Sequence, residues 1–233
     1  MKKKLFLALL LLPLGLIAQN LQVQYDLGNG RKNFTSTLEM FKPDKWGDTF
    51  FFVDMEFNGG TQKQPSLAYM EIARCLKLGK SPFSAHVEYN GGLIYTPAFG
   101  TVINNAYLAG VDYAWHDKNF SKFLNFKVLY KNIQGKNPAS FQLTGVWNLN
   151  YFDNKLTVSG FADFWREDNM NFSNGMGDAI VPTNTNFVFL SEPQVWYNLS
   201  KNLSLGGEVE VGCNFGGVDG WKVCPALGAK WNF

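Results

Sequence analysis

Leu21-Gln22-Val23-Gln24-Tyr25-Asp26-Leu27 alternates apolar and polar side chains without a break. In an extended strand successive side chains point to opposite faces, so this stretch is apolar on one face and polar on the other. The pattern recurs down the chain. Phe51, Val53, Met55 and Phe57 alternate with Phe52, Asp54 and Glu56. Ala85, Val87 and Tyr89 alternate with His86 and Glu88, and Leu124, Phe126, Val128 and Tyr130 with Asn125 and Lys127. Tyr107 to Trp115, Phe141 to Leu149, Leu156 to Phe164, Val195 to Leu199, Leu203 to Cys213 and Trp221 to Phe233 behave alike. Weaker segments at Phe34 to Phe41 and Leu67 to Leu78 bring the count to about twelve strands. Helical periodicity is nearly absent, so an all-β fold is predicted.

Strand length decides which kind. Most segments run about 8 to 13 residues, against the usual 5 or 6 of a soluble strand, and a tilted strand needs about 9 to 11 to cross a bilayer. The breaks also alternate. Longer ones fall near 28–33, 59–65, 93–105, 133–138, 167–185 and 214–220, and shorter ones near 43–47, 79–82, 117–121, 152–154 and 199–201. Short turns at one end and longer loops at the other are the habit of an outer-membrane barrel, whose closure also removes exposed sheet edges. The prediction is a transmembrane, antiparallel, up-and-down β-barrel of about twelve strands. A soluble periplasmic sandwich remains the alternative. Composition agrees with a packed β protein: 16% aromatic and only 17% charged residues, with 21 Phe and 23 Gly, exclude intrinsic disorder.

Lys2, Lys3 and Lys4 precede an apolar run from Leu5 to Ile17, interrupted by Pro13 and Gly15 and followed by Ala18. It is too short to span a membrane as a helix and reads as a secretory signal peptide over residues 1–18, with the barrel domain over 19–233. Loss of the three lysines takes the formal charge from +2 to −1, since 2 − 3 = −1. No nucleic-acid partner is therefore expected. The terminal strand ends in Phe233 with Trp231, Ala229, Leu227 and Val223 in one phase. That resembles the signal outer-membrane barrels present to their assembly machinery, which is an expected partner beside outer-membrane lipid. Trp46, Tyr95, Trp115, Tyr130, Trp147, Tyr151, Tyr197 and Trp221 lie near strand ends and suit two interfacial girdles. The expected location is the outer membrane of a Gram-negative bacterium, and the expected state a monomer.

If the apolar phase faces lipid, the other phase lines the lumen. It collects Asp54, Glu56, Glu71, His86, Glu88, Asp112, Lys127, Asp163, Trp165, Glu192, Gln194, Trp196, Glu208, Glu210, Lys222 and Lys230. Acids outnumber lysines, so the wall is net negative and favours cations and neutral solutes. The solute-binding candidates are Asp54, Glu56, Glu71, Glu88, Asp112, Asp163, Trp165, Glu192, Trp196, Glu208 and Glu210. Arg74 is an exception on the apolar phase, near a turn where it can snorkel. The expected function is passive uptake of small neutral or cationic solutes. The same polar groups would equally serve a plugged barrel, in which they pack against each other.

Lys45-Trp46-Gly47-Asp48-Thr49, leading into Asp54 and Glu56, resembles an early turn and acidic strand of the Tsx-type nucleoside channels. Gly160-Phe161-Ala162-Asp163-Phe164-Trp165 and Gly228-Ala229-Lys230-Trp231-Asn232-Phe233 resemble later strands of that family. The resemblance implies a twelve-stranded outer-membrane barrel for nucleosides or similar solutes, with Asp54, Glu56, Asp163 and Trp165 as aligned lumen positions. The family's long loop after its acidic strand is not obvious here.

No catalytic, phosphate-binding or metal motif stands out. Neither His86 nor His116 lies near a Ser or Cys at a spacing that announces a nucleophile, although residues from different strands can meet. A barrel-embedded lipid hydrolase is thus a minor alternative, and no enzymatic activity, cofactor or metal is expected. Asp168, Asn169, Asn171, Asn174 and Asp178 read as a solvated loop more readily than as a cation site. Cys75, Cys213 and Cys224 are odd in number, and strand pairing sets Cys213 near Trp221 rather than opposite Cys224, so no disulfide is expected.

Overall fold

The structure is a computed structural model that describes residues 18–57, 65–96, 99–136 and 139–233. The leader sequence expected over 1–18 falls, but for Ala18, outside the described residues. In chain order the strands are β1 (Ala18–Asp26), β2 (Phe34–Pro43), β3 (Gly47–Phe57), β4 (Leu67–Lys77), β5 (Phe83–Tyr95) and β6 (Gly100–His116). Then come β7 (Lys122–Ile133), β8 (Ser140–Tyr151), β9 (Leu156–Asn174), β10 (Ala179–Ser191) and β11 (Gln194–Asn198). β12 (Leu203–Cys213), β13 (Val218–Asp219) and β14 (Trp221–Asn232) complete the sheet. β10 and β11 are two halves of one wall strand, both lying between β9 and β12 and parted at Glu192-Pro193, where proline offers no ladder donor. β13 is a two-residue bridge in the last loop. The wall therefore has twelve strands.

Each wall strand pairs antiparallel with its predecessor, and β1 closes on β14 from Asn20 against Asn232 to Asp26 against Ala226. Closure satisfies the backbone groups of every edge, which a bilayer core requires. With strands 4.8 Å apart and tilted by about 40°, twelve of them enclose a wall roughly 24 Å across. Long side chains from both walls are needed to fill such a space.

The alternation predicted from sequence is the pleat of this wall. Leu21, Val23, Val87, Val111, Phe126, Val128, Val195, Leu205 and Leu227 are exposed on the outside. Gln22, Gln24, His86, Asp112, Lys131, Gln142 and Ser204 are buried inside. Near strand ends, Trp46, Trp115, Tyr151 and Tyr197 are exposed towards one rim, and Tyr95, Tyr130 and Trp221 towards the other. Lys45 sits over the Trp46 ring and Lys122 over Tyr151, as cations at a membrane interface do. Arg74 faces outward and reaches the Asp44 carboxylate at 2.8 Å across the adjacent turn, so its charge is paired at the rim.

Two of the long breaks need correction. β5 runs to Tyr95 and β6 starts at Gly100, while β9 continues to Asn174 and β10 begins at Ala179. The stretch 167–185 is thus a paired hairpin closed by a turn at 175–178, with Asn171 against Thr183 and Asn169 against Thr185. β9, with 19 residues, is roughly twice what a bilayer crossing needs. In its far half Met170 and Phe172 are exposed outside and Asn171 is buried inside, but Arg166, Asp168 and Asn174 break the apolar–polar alternation that marks the membrane half. The rim carrying these extended hairpins is called the long-hairpin rim below, and the other the short-turn rim.

Candidate functional site

The lumen is built by three groups of inward side chains at successive depths. Nearest the short-turn rim, ladder pairing sets Asp48 against Cys75 and Cys75 against His86. Asp112 lies one inward position from Gly110, the residue opposite His86. The Cys75 Sγ lies 3.4 Å from His86 Nδ1 and 3.1 Å from an Asp112 carboxylate oxygen. His86 Nδ1 is 3.1 Å from the other Asp112 oxygen, and His86 Nε2 is 2.9 Å from Glu88. Cys75, His86 and Asp112 are all buried, and Lys127 stands opposite Asp112 in the ladder. Gly110, opposite His86, lets β6 lie close to β7: a Cβ there would lie 2.1 Å from the Val128 carbonyl oxygen.

Acids dominate the middle of the lumen. Among the described residues Asp54 on β3, Glu71 on β4, Asp163 on β9, Glu192 at the β10–β11 junction and Glu208 on β12 make no salt bridge. Glu192 lies within electrostatic reach of Glu208, Asp54, Glu210 and Glu71. Neutral donors serve most of them. Tyr69 donates to Glu71 at 2.7 Å, Gln194 to Glu208 at 3.0 Å, and Thr144 to Asp163.

The two lumen tryptophans are covered. Lys131 Nζ sits 4.2 Å from the Trp165 ring centroid and Lys230 Nζ 4.4 Å from that of Trp196. Each indole N–H donates at 2.8 Å, Trp165 to Glu167 and Trp196 to Gln194. Trp196 is fully buried and lies against Gly206, where a Cβ would come within 2.9 Å of its ring. Neither ring offers a bare stacking face.

Towards the long-hairpin rim two loops reach inward. Arg31, from the β1–β2 turn, binds Glu210 at 2.6 Å and Asp26 at 3.1 Å. Burial opposes its charge, but Glu210 above all holds the guanidinium protonated beyond its ordinary range. Asn33 donates to Glu56 at 3.2 Å beside it. Phe215, from the β12–β14 loop, meets Trp165 edge-on and packs against a buried apolar group of Ala106, Leu108, Leu129, Ile133 and Val188.

All eleven sequence candidates point into the lumen, but in separate groups. Glu88 and Asp112 belong to the cysteine–histidine group, Asp54, Glu71, Asp163, Glu192 and Glu208 to the acidic middle, and Glu56 and Glu210 to the long-hairpin mouth. Trp165 and Trp196 are packed. Sequence reasoning missed Lys131, Arg31, Phe215 and Cys75. Lys131 continues the phase of Asn125 and Lys127 and was open to view. Arg31 and Phe215 are loop residues, whose inward course no periodicity reveals. The three cysteines are free thiols, and Cys213 pairs with Trp221 as the register argument requires.

A family model described as a domain of unknown function, DUF5020, matches residues 18–233. The chain belongs to the DUF5020 family. Among curated proteins none matches it in sequence. Solved structures of outer-membrane barrels do match this DUF5020 chain in fold. A NanC porin aligns over 93% of this chain and 100% of its own, with 9% identity and a TM-score of 0.58. A KdgM porin aligns over 93% and 99%, with 12% identity and a TM-score of 0.49. The likeness is one of fold: a closed porin-type barrel.

Proposed function

We propose that this DUF5020 protein is an outer-membrane diffusion channel whose narrow, acidic lumen passes small neutral or cationic solutes. The observation that carries the reading is the middle of the lumen, where Asp54, Glu71, Asp163, Glu192 and Glu208 stand without salt-bridge partners among the described residues. A barrel that served only as a scaffold would gain from pairing such acids. Left unpaired in a low-dielectric tube, they attract cations and repel anions. Diffusion needs no catalytic group, and the protein works without enzymatic activity. It resides in the outer membrane of a Gram-negative bacterium as a monomer. A cleaved leader exports it, and its terminal strand ending in Phe233 delivers it to the barrel-assembly machinery.

Single-channel recording from purified protein in a planar bilayer under a salt gradient tests this. Conductance steps with a cation-selective reversal potential are expected, and Glu192→Gln with Glu208→Gln should move that potential towards zero. Absence of any conductance from folded protein sinks the channel reading. It would favour the second one, a plugged barrel, which the buried Leu129, Trp165 and Val188 group and the Arg31 latch support. Nucleosides are the finer proposal, resting on the Tsx-like motifs at 45–49 and 160–165. Liposome swelling should then be faster with a nucleoside than with a sugar of similar size. Equal rates would leave a channel without nucleoside preference.

A further inference from the structure

We propose that Cys75, His86 and Asp112 form a binding site for a borderline-soft divalent ion of the zinc class, set on the inner face of the barrel near the short-turn rim. Three donor atoms of different chemistry converge there from three adjacent strands. The Cys75 Sγ to His86 Nδ1 distance is 3.4 Å, Cys75 Sγ to Asp112 Oδ2 3.1 Å, and His86 Nδ1 to the same Oδ2 3.2 Å. Ligands held at about 2.0 to 2.3 Å in a tetrahedral zinc site stand about 3.3 to 3.6 Å from one another, so the triangle is within a few tenths of an ångström of one face of such a site. An ion there would sit about 1 Å out of the donor plane, with the fourth position left to water or to Asp48, the residue opposite Cys75.

The hydrogen bonding points the same way. Glu88 lies 2.9 Å from His86 Nε2 and holds a proton there, which leaves Nδ1 as the ring atom that turns to the other two donors. Without a metal, Nδ1 lies 3.2 Å from Asp112 Oδ2 and donates to it when the ring carries both protons. The thiol proton can serve Nδ1 or Asp112 but not both. The second Asp112 oxygen, Oδ1, in a residue almost wholly buried, accepts no hydrogen bond and lies 3.1 Å from His86 Nδ1. Burying an unmet carboxylate oxygen is costly, and a cation meets it. On binding, the thiol proton and any proton on Nδ1 are given up to solvent, and the thiolate and the Nδ1 lone pair complete the set. Asp48, Glu88, Asp112 and the thiolate then outnumber the nearby cations, Lys127 and, at the rim, Arg74, so a dication lowers the local charge imbalance. Sulfur with imidazole and carboxylate selects zinc-like ions over magnesium or calcium.

The test uses the refolded full barrel in detergent with a reductant that does not bind metal, stripped with chelator and titrated with cobalt(II) chloride. One equivalent should give tetrahedral d–d bands together with a thiolate-to-cobalt charge-transfer band, and zinc chloride should bleach both. Cys75→Ser should abolish the charge-transfer band, and Glu88→Gln should weaken binding by about 10- to 100-fold, as loss of a histidine's outer partner does. Cys213→Ser and Cys224→Ser should leave the spectrum unchanged. Unheated gel mobility reports that each variant is folded, and the wild-type spectrum decides the matter if a variant is not. A folded wild-type barrel that shows no thiolate charge-transfer band, or a band that survives Cys75→Ser, overturns the site.

Discussion

Replacing Arg31 by Ala withdraws a guanidinium that holds Glu210 at 2.6 Å and Asp26 at 3.1 Å. The arginine side chain is 24% exposed and its partners 14% and 8%. Breaking a fully buried ion pair costs about 3 to 5 kcal/mol, and an exposed one about 0 to 1. A latch whose acids are sheltered and whose cation is partly wet falls between, at about 2 kcal/mol, or roughly 30-fold in the unfolding equilibrium. Denaturant unfolding of the reconstituted barrel, followed by tryptophan fluorescence, reads that loss as a lower midpoint. Much of the loss is the penalty on two carboxylates left behind, so Arg31→Ala combined with Glu210→Gln should recover part of it. The same change leaves two uncompensated acids at the mouth, and the channel should become more cation-selective. Reasoning from the latch is refuted if Arg31→Ala unfolds at the wild-type midpoint, or if the double variant is less stable than the single one.

Three further outcomes are expected. The Asp44 carboxyl, in the β2–β3 turn, is held at about 2 against an ordinary 3.8, by the Arg74 hydrogen bond first and the Trp46 amide second. Because the folded value is depressed, this stabilisation is present above about pH 4 and is lost as pH falls towards 2. Trp46 fluorescence should titrate near that value, and an Arg74→Ala variant with the same midpoint would refute the assignment. Gly110→Val places a Cβ 2.1 Å from the Val128 carbonyl oxygen, and overpacking there should cost about 1 to 3 kcal/mol or prevent closure; wild-type yield of heat-modifiable barrel would contradict this. Trp196→Ala should cost about 3 kcal/mol in denaturant unfolding and uncover Lys230, weakening cation selectivity. Unchanged stability would mean that the indole is not packed as described.

How much of this was legible in the sequence follows from where water lies. From Leu21 to Leu27 one face meets lipid and the other the lumen, so the pleat is written in the residues. From Glu167 to Thr185 polar residues such as Asp168, Asn171, Asn174, Asp178 and Asn184 fall on both faces, and a hairpin there looks like a loop. The inward phase identified Glu88 and Asp112, yet their partnership with Cys75 and His86 required the register of two strand pairs. Cys75 is 11 residues from His86 and 37 from Asp112, a separation no local motif contains. Trp165 and Trp196 were legible as inward but not as covered, because the lysines that cap them come from other strands.

The β12–β14 loop does not stand alone. Val218 and Asp219 run parallel to Ser173 and Asn174 of β9, across the strand that separates them in the wall. Asn29 of the first turn donates to the Met176 carbonyl at 2.7 Å, and Asn214 to that of Phe187 at 3.1 Å. Among the described residues the β1–β2, β9–β10 and β12–β14 connections are therefore laced into one surface rather than standing as separate loops. Anything that recognises it, antibody or phage, would read a discontinuous patch made of three hairpins. A peptide copied from 214–220 should fail to compete for such a binder. A tag inserted into that loop should disturb recognition at residues 29 and 176, far from it along the chain.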